Sequence, residues 1–262
     1  GLATMAWPFA KLDFAEPGVT FFLVAATLAL LKYGESRRQR WALFTSLLVL
    51  GAVFTKYVAV ITLPVFALQL VLLHRVPGSA WRELPRLSWR AVLVFASPYL
   101  LLLLPGMLVL SAAYDFRLLY ESELLAGLGR GWLGVPLWLG LWGLLFSWGK
   151  GFFLYNPIMW VAVPAAVWFV RRHGLKSLLF VAIPLAYLAI YSKKEVWYGG
   201  NTWGPRYLLP TIPFLMVMAA PAYRWVLAQR RRWPVMGLGL VLAASVLVQT
   251  LGVAKDFDLY LS

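Results

Sequence analysis

Ala91-Val92-Leu93-Val94-Phe95-Ala96-Ser97-Pro98-Tyr99-Leu100-Leu101-Leu102-Leu103-Leu104-Pro105-Gly106-Met107-Leu108-Val109-Leu110 is an unbroken stretch without a charge. Wound as an α-helix at about 1.5 Å per residue, it spans about 30 Å, the thickness of a bilayer's hydrocarbon core. Seven further apolar runs flank it: Pro17–Leu31, Trp41–Thr55, Tyr57–Leu73, Phe152–Val170, Ser177–Ser192, Tyr207–Leu227 and Val235–Gly252. The first three are short for a span and are expected to extend into their flanks. A ninth stretch, Trp132–Trp148, is interrupted by Gly134, Pro136, Gly140 and Gly143 and reads as re-entrant or interfacial. The expected fold is therefore all-α: a polytopic integral membrane protein with about eight transmembrane helices plus a re-entrant or interfacial external segment, forming one transmembrane domain over residues 1–262.

Composition agrees. Hydrophobic residues make up 62% of the chain and charged residues 13%, about half the charged share of a soluble domain. Lipid replaces the polar exterior such a chain lacks. The absence of cysteine excludes disulfides, thiolate metal sites and cysteine nucleophiles. His74 and His173 stand beside arginines at the ends of apolar runs and do not have metal-ligand spacing. A net charge of +14 would point to nucleic acid in a soluble protein. Here the charge sits in short loops between apolar runs, so a bilayer and not a nucleic acid is the expected partner.

The loops divide by charge. One alternating set, from Lys32 through Arg90, Arg171 and Arg232, holds 15 basic and two acidic residues. The other holds nine basic and eight acidic residues. The positive-inside rule places the first set in the cytoplasm. The external loops are then 1–16, 111–151 and 193–206, and Trp132–Trp148 must not cross. Gly1 to Lys11 reads as the middle of a longer protein, with further helices expected upstream. On that reading the chain by itself is expected to lack activity.

Four segments on the external side carry the chemistry. Glu16-Pro17 opens the first run; the carboxylate either complements the helix dipole or is held as a site carboxylate. Lys56, between two runs with almost no loop, either snorkels to headgroups or faces an anionic phosphate. Ser147-Trp148-Gly149-Lys150-Gly151 allows close backbone approach to a ligand but lacks the spacing of a Walker A loop. Trp197-Tyr198-Gly199-Gly200-Asn201-Thr202-Trp203-Gly204-Pro205-Arg206-Tyr207 combines rings suited to sugar faces with a guanidinium suited to phosphate. An aromatic interface belt accounts for its rings but not for its glycines. Gly129-Arg130-Gly131-Trp132-Leu133-Gly134 matches G-x-G-x-x-G without a preceding strand and is set aside.

Taken in order, several segments resemble the GT-C glycosyltransferases, near the bacterial protein O-mannosyltransferase and lipid A aminoarabinose transferase groups. They are Ala6–Pro17, Gly51-Ala52-Val53-Phe54-Thr55-Lys56-Tyr57, Leu145–Gly151 with Tyr155-Asn156-Pro157, and Trp197–Gly200 with Trp203-Gly204-Pro205-Arg206. The resemblance implies a multi-pass enzyme of the bacterial inner membrane with its active face periplasmic. It implies a sugar donor on a polyprenyl-phosphate carrier and a lipid, glycan or protein acceptor. It places Glu16 at the family's second acidic position, which positions substrate or, in some members, a divalent cation (Mg or Mn). The family's essential Asp, in the first external loop, has no counterpart here. On this resemblance Glu16 is the catalytic candidate. Lys56 and Arg206 are expected to meet the carrier phosphate, Trp197, Tyr198 and Trp203 to shape the sugar pocket, and Lys150 and Tyr155 to assist. The rival class is a membrane transporter or lipid flippase, which calls for polar residues deep in the spans; only Thr62, Gln69 and Ser97 offer such groups, and mildly.

Overall fold

The computed structural model describes residues 2–9, 15–74, 88–113, 134–200, 202–229 and 232–254. Every regular element among them is helical. Among the described residues, four helical runs are long and apolar enough to cross a membrane: Ala15–Ser36, Trp89–Gly106, Met159–Lys193 and Arg232–Ala254. Their outer surfaces carry large exposed apolar side chains, such as Phe21, Leu101, Val167 and Leu240. In water such a surface aggregates; in lipid it is the ordinary exterior. Gln39–Thr55, Tyr57–Leu72 and Leu137–Phe146 are apolar helices of shorter reach.

The chain divides into two compact units, 18–132 and 1–17 with 133–262. In the first, Gly51 lets the Gln39–Thr55 helix approach closely: a Cβ there would stand 2.8 Å from the Phe22 ring. Ser46 donates to Phe95 O at 2.5 Å and accepts Tyr99 OH through its own carbonyl at 3.2 Å, joining Gln39–Thr55 to the run beginning at Trp89. That run shows how proline is accommodated. Pro98 has no N–H for Val94 O, and the Ser97 hydroxyl donates to that carbonyl instead, at 2.9 Å. Beyond Pro98 the helix widens to a π turn, Tyr99–Leu103, before α geometry resumes at Leu104.

The expected break at Lys56 is present. The helix ends at Thr55, Lys56 is extended, and a 3₁₀ turn, Tyr57–Thr62, leads into Leu63–Leu72.

In the second unit the run Phe152–Val170 is not one helix. A single turn, Phe152–Tyr155, ends at Asn156, and the long helix begins at Met159. Pro157 is the reason, because the residue before a proline is driven out of the α region. Side chains meet several of the backbone groups exposed by this break. Ile158 N–H donates to Ser245 at 2.8 Å, Tyr155 O accepts from Gln249, and Tyr223 OH donates to Ile158 O at 3.2 Å. The Asn156 side chain accepts Met5 N–H at 2.8 Å and donates to Phe152 O at 3.1 Å.

Gly174, at φ 53°, ends Met159–His173, and Leu178–Lys193 follows after a short 3₁₀ turn. Likewise Tyr207–Leu227 opens as a 3₁₀ turn, Arg206–Thr211, around Pro210 and becomes α-helical at Ile212. Leu137–Phe146 has ten residues, about 15 Å of helix, half of what a crossing needs.

Candidate functional site

The site is built on the loop that joins Leu178–Lys193 to the turn at Arg206. Gly199, Gly200 and Gly204 hold positive φ angles of 76°, 73° and 66°. These angles cost an ordinary side chain strain, and they curl the loop so that the Gly199 backbone lies against Arg206. The two tryptophans seat the loop. Trp197 presses on Gly143 of Leu137–Phe146, and Trp203 on Gly252 of the last helix; a Cβ at either glycine would come within 2.6 Å of the indole. Trp203 also meets Tyr155 edge to face, centroids 5.0 Å apart. Tyr155 OH donates to Gly149 O at 2.9 Å, fixing the adjoining Gly149-Lys150-Gly151 turn.

Lys150 fastens the two loops together. Its ammonium donates to Gly200 O at 2.7 Å and to Thr202 O. Burial, with Arg206 adding positive charge nearby, lowers its pKa to about 8.

Arg206 stands at the centre. Its Nε lies 3.8 Å from Glu16 Oε1. That separation is ion pairing without a short hydrogen bond. Glu16 is 3% exposed, in the first turn of Ala15–Ser36. The N-terminal end of a helix favours a carboxylate. The guanidinium also lies over the Tyr207 ring at 5.2 Å. Tyr207 is stacked on Tyr191 with centroids 4.2 Å apart and planes 8° from parallel. Lys194 covers the same ring at 5.0 Å and reaches Tyr207 OH at 3.4 Å.

The structure thus brings Glu16, Lys150, Tyr155, Trp197, Tyr198, Trp203 and Arg206 into one unit, around one loop. Their roles separate on inspection. Trp197, Trp203, Tyr155 and Lys150 hold the loop in shape. Tyr198 is exposed and meets Trp197 in a T-shaped contact, centroids 5.8 Å apart. Glu16 and Arg206 form the charged centre. Lys56 belongs to the other unit, at the junction of Gln39–Thr55 with its 3₁₀ turn.

Lys194 and Tyr191 were not distinguished by sequence, and Tyr207 only as the last residue of the aromatic motif. The available signal was Lys193-Lys194 next to the aromatic motif, but two cations at the end of a span read as ordinary boundary residues. Asp13, Asn201 and the acidic loop with Asp115, Glu121 and Glu123 lie outside the described residues.

The arrangement suits an anionic ligand, since Arg206 stands beside Glu16 with the Lys150 ammonium close enough to feel its charge. Mg and Mn take several oxygen donors, carboxylates foremost. Among the described residues no group of three or more His, Cys, Asp or Glu gathers, and Glu16 already faces a guanidinium. No family model matches this chain, and neither a curated protein nor a solved structure does.

Proposed function

We propose that the protein is a GT-C-like glycosyltransferase that moves a sugar from a polyprenyl-phosphate carrier to a lipid, glycan or protein acceptor at the periplasmic face of a bacterial inner membrane. The observation that carries this reading is the Glu16–Arg206 pair beneath a glycine-curled aromatic loop. It offers a carboxylate for a proton, a guanidinium for a phosphate and an exposed ring for a sugar, all at helix ends. A polyprenyl carrier keeps its phosphate at the membrane surface, so its cations must wait at helix ends. The topology proposed with it has about eight crossings, basic loops in the cytoplasm and Leu137–Phe146 re-entrant or interfacial.

In the transfer, the acceptor hydroxyl oxygen bonds to the sugar's anomeric carbon. The bond from that carbon to the phosphate oxygen breaks, and its electron pair leaves on the carrier phosphate. The acceptor proton passes to the Glu16 carboxylate. Arg206 stabilises the charge gathering on the departing phosphate. The 3.8 Å spacing holds the carboxylate and the guanidinium side by side. The test is to supply labelled sugar on polyprenyl phosphate to membranes carrying the whole gene product. Labelled acceptor should appear together with free polyprenyl phosphate. Flux of the lipid without consumption would instead mark a flippase.

Lys150 gives the reaction a pH signature. Below about pH 8 its ammonium adds to the field that attracts the donor phosphate; above it the amine is neutral. Donor KM should therefore rise on crossing about pH 8, and Lys150→Arg, charged throughout, should remove the rise. The stability effect has the opposite sign. The depressed pKa means the unfolded chain holds this proton more tightly, so the fold gains stability from about pH 8 toward the ordinary 10.5. A KM flat across this interval in the native protein would separate Lys150 from donor binding.

A further inference from the structure

Away from this loop, in the same unit, the helices Met159–His173 and Ile212–Leu227 enclose a groove of about 470 Å³, within the range of small-ligand sites. Its walls are built from one short pattern used twice. Pro164-Ala165-Ala166-Val167-Trp168 lies on one helix and Pro221-Ala222-Tyr223-Arg224-Trp225 on the other, and the Pro, Ala and Trp of both line the groove. The small alanines make the hollow and the indoles wall it. Trp168 and Trp225 are both exposed, as interfacial tryptophans are.

The groove is apolar, yet its Trp168 wall runs directly into positive charge. Arg171 and Arg172 follow Trp168 by about one turn, in the exposed last turn of Met159–His173 together with His173. The Arg172 guanidinium lies 5.5 Å from the Trp168 ring centre. A helix C-terminus favours these cations, but dipole complementation does not call for an apolar hollow beside them. An apolar slot, an indole at its rim and two guanidiniums one turn beyond reproduce, in order, the acyl chain, glycerol and phosphate levels of a phospholipid.

We propose that this groove is a binding site for an anionic phospholipid, with an acyl chain between the two Pro-Ala pairs and the phosphate held by Arg171 and Arg172. In the topology proposed above this is the cytoplasmic leaflet, where anionic lipids are drawn to basic helix ends. The site is separate from the Glu16–Arg206 centre and stands whether or not that centre transfers sugar.

Native mass spectrometry of the purified protein, titrated with phosphatidylglycerol or with phosphatidylcholine of the same acyl chains, tests it. The native protein should hold phosphatidylglycerol about tenfold more tightly. The double variant Arg171→Gln/Arg172→Gln should lose that preference and bind the two alike, whereas Arg171→Lys/Arg172→Lys should keep most of it. Ala222→Leu, which fills the hollow and leaves the charges, should weaken both lipids. A thermal shift of the native protein by phosphatidylglycerol over phosphatidylcholine gives the same reading without a variant. Equal binding of the two lipids by the native protein, or a preference that survives the double glutamine variant, would overturn the proposal.

Discussion

Arg206→Ala should lower sugar transfer by about 10²–10³-fold, while the protein still inserts and folds. A donor aimed at developing charge in a site shielded from water is worth that much when removed. Arg206 is paired with the carboxylate, and its side chain keeps partial access to solvent. It also rests on Gly199 and Tyr207, so its loss will loosen the loop to some degree. Arg206→Lys separates the two effects. Lysine keeps the charge without the planar fork that grips a phosphate on two oxygens, so it should recover part of the rate. Glu16→Gln is the companion measurement. Losing the proton acceptor should depress kcat more than donor KM, whereas Arg206→Ala should move both. Rates within twofold of native for Arg206→Ala would remove this residue from the chemistry.

Asn156→Leu should destabilise the second unit by about 2 kcal/mol, roughly a 30-fold shift toward the unfolded form. Asn156 and Met5 are each fully buried, and Asn156 Oδ1 accepts the Met5 N–H at 2.8 Å. Leucine is close in volume but offers no acceptor, so a buried N–H is left without a partner. The second bond, from Nδ2 to Phe152 O, matters less, because that carbonyl also accepts the Asn156 backbone N–H at 2.9 Å. Asn156→Asp keeps an acceptor for Met5 but buries a carboxylate against the Phe152 carbonyl, so it should not rescue the leucine loss. Thermal unfolding, read alongside proteolytic cutting of residues 2–9, checks both. Equal stability of the leucine variant and the native protein would show that this bond does not hold the segment.

Helices were legible from apolar runs because a bilayer or a core demands continuous apolarity over a fixed length. Where they start was less so. Hydropathy registers Phe152–Tyr155 and Met159–Val170 as one run, and only Pro157 signals the break. The same holds at Pro210, where an apolar run begins as a 3₁₀ turn.

Of the site, the Glu16-Pro17 and Gly204-Pro205-Arg206 corners could be read as helix entrances carrying charge, and the structure pairs those two charges. The task of Lys150 could not be read. Its partners are carbonyls of Gly200 and Thr202, and a backbone oxygen leaves no mark in the sequence. The seats of Trp197 and Trp203 were hidden in a related way. Gly143 and Gly252 look like ordinary small residues of apolar helices until an indole is laid on each.

A structure of the whole gene product in lipid nanodiscs with polyprenyl phosphate bound tests the account most directly. The phosphorus should lie within about 4 Å of the Arg206 guanidinium, beside Glu16 and under the 194–206 loop. A phosphate bound elsewhere, with the Glu16–Arg206 pair closed and untouched, would contradict it.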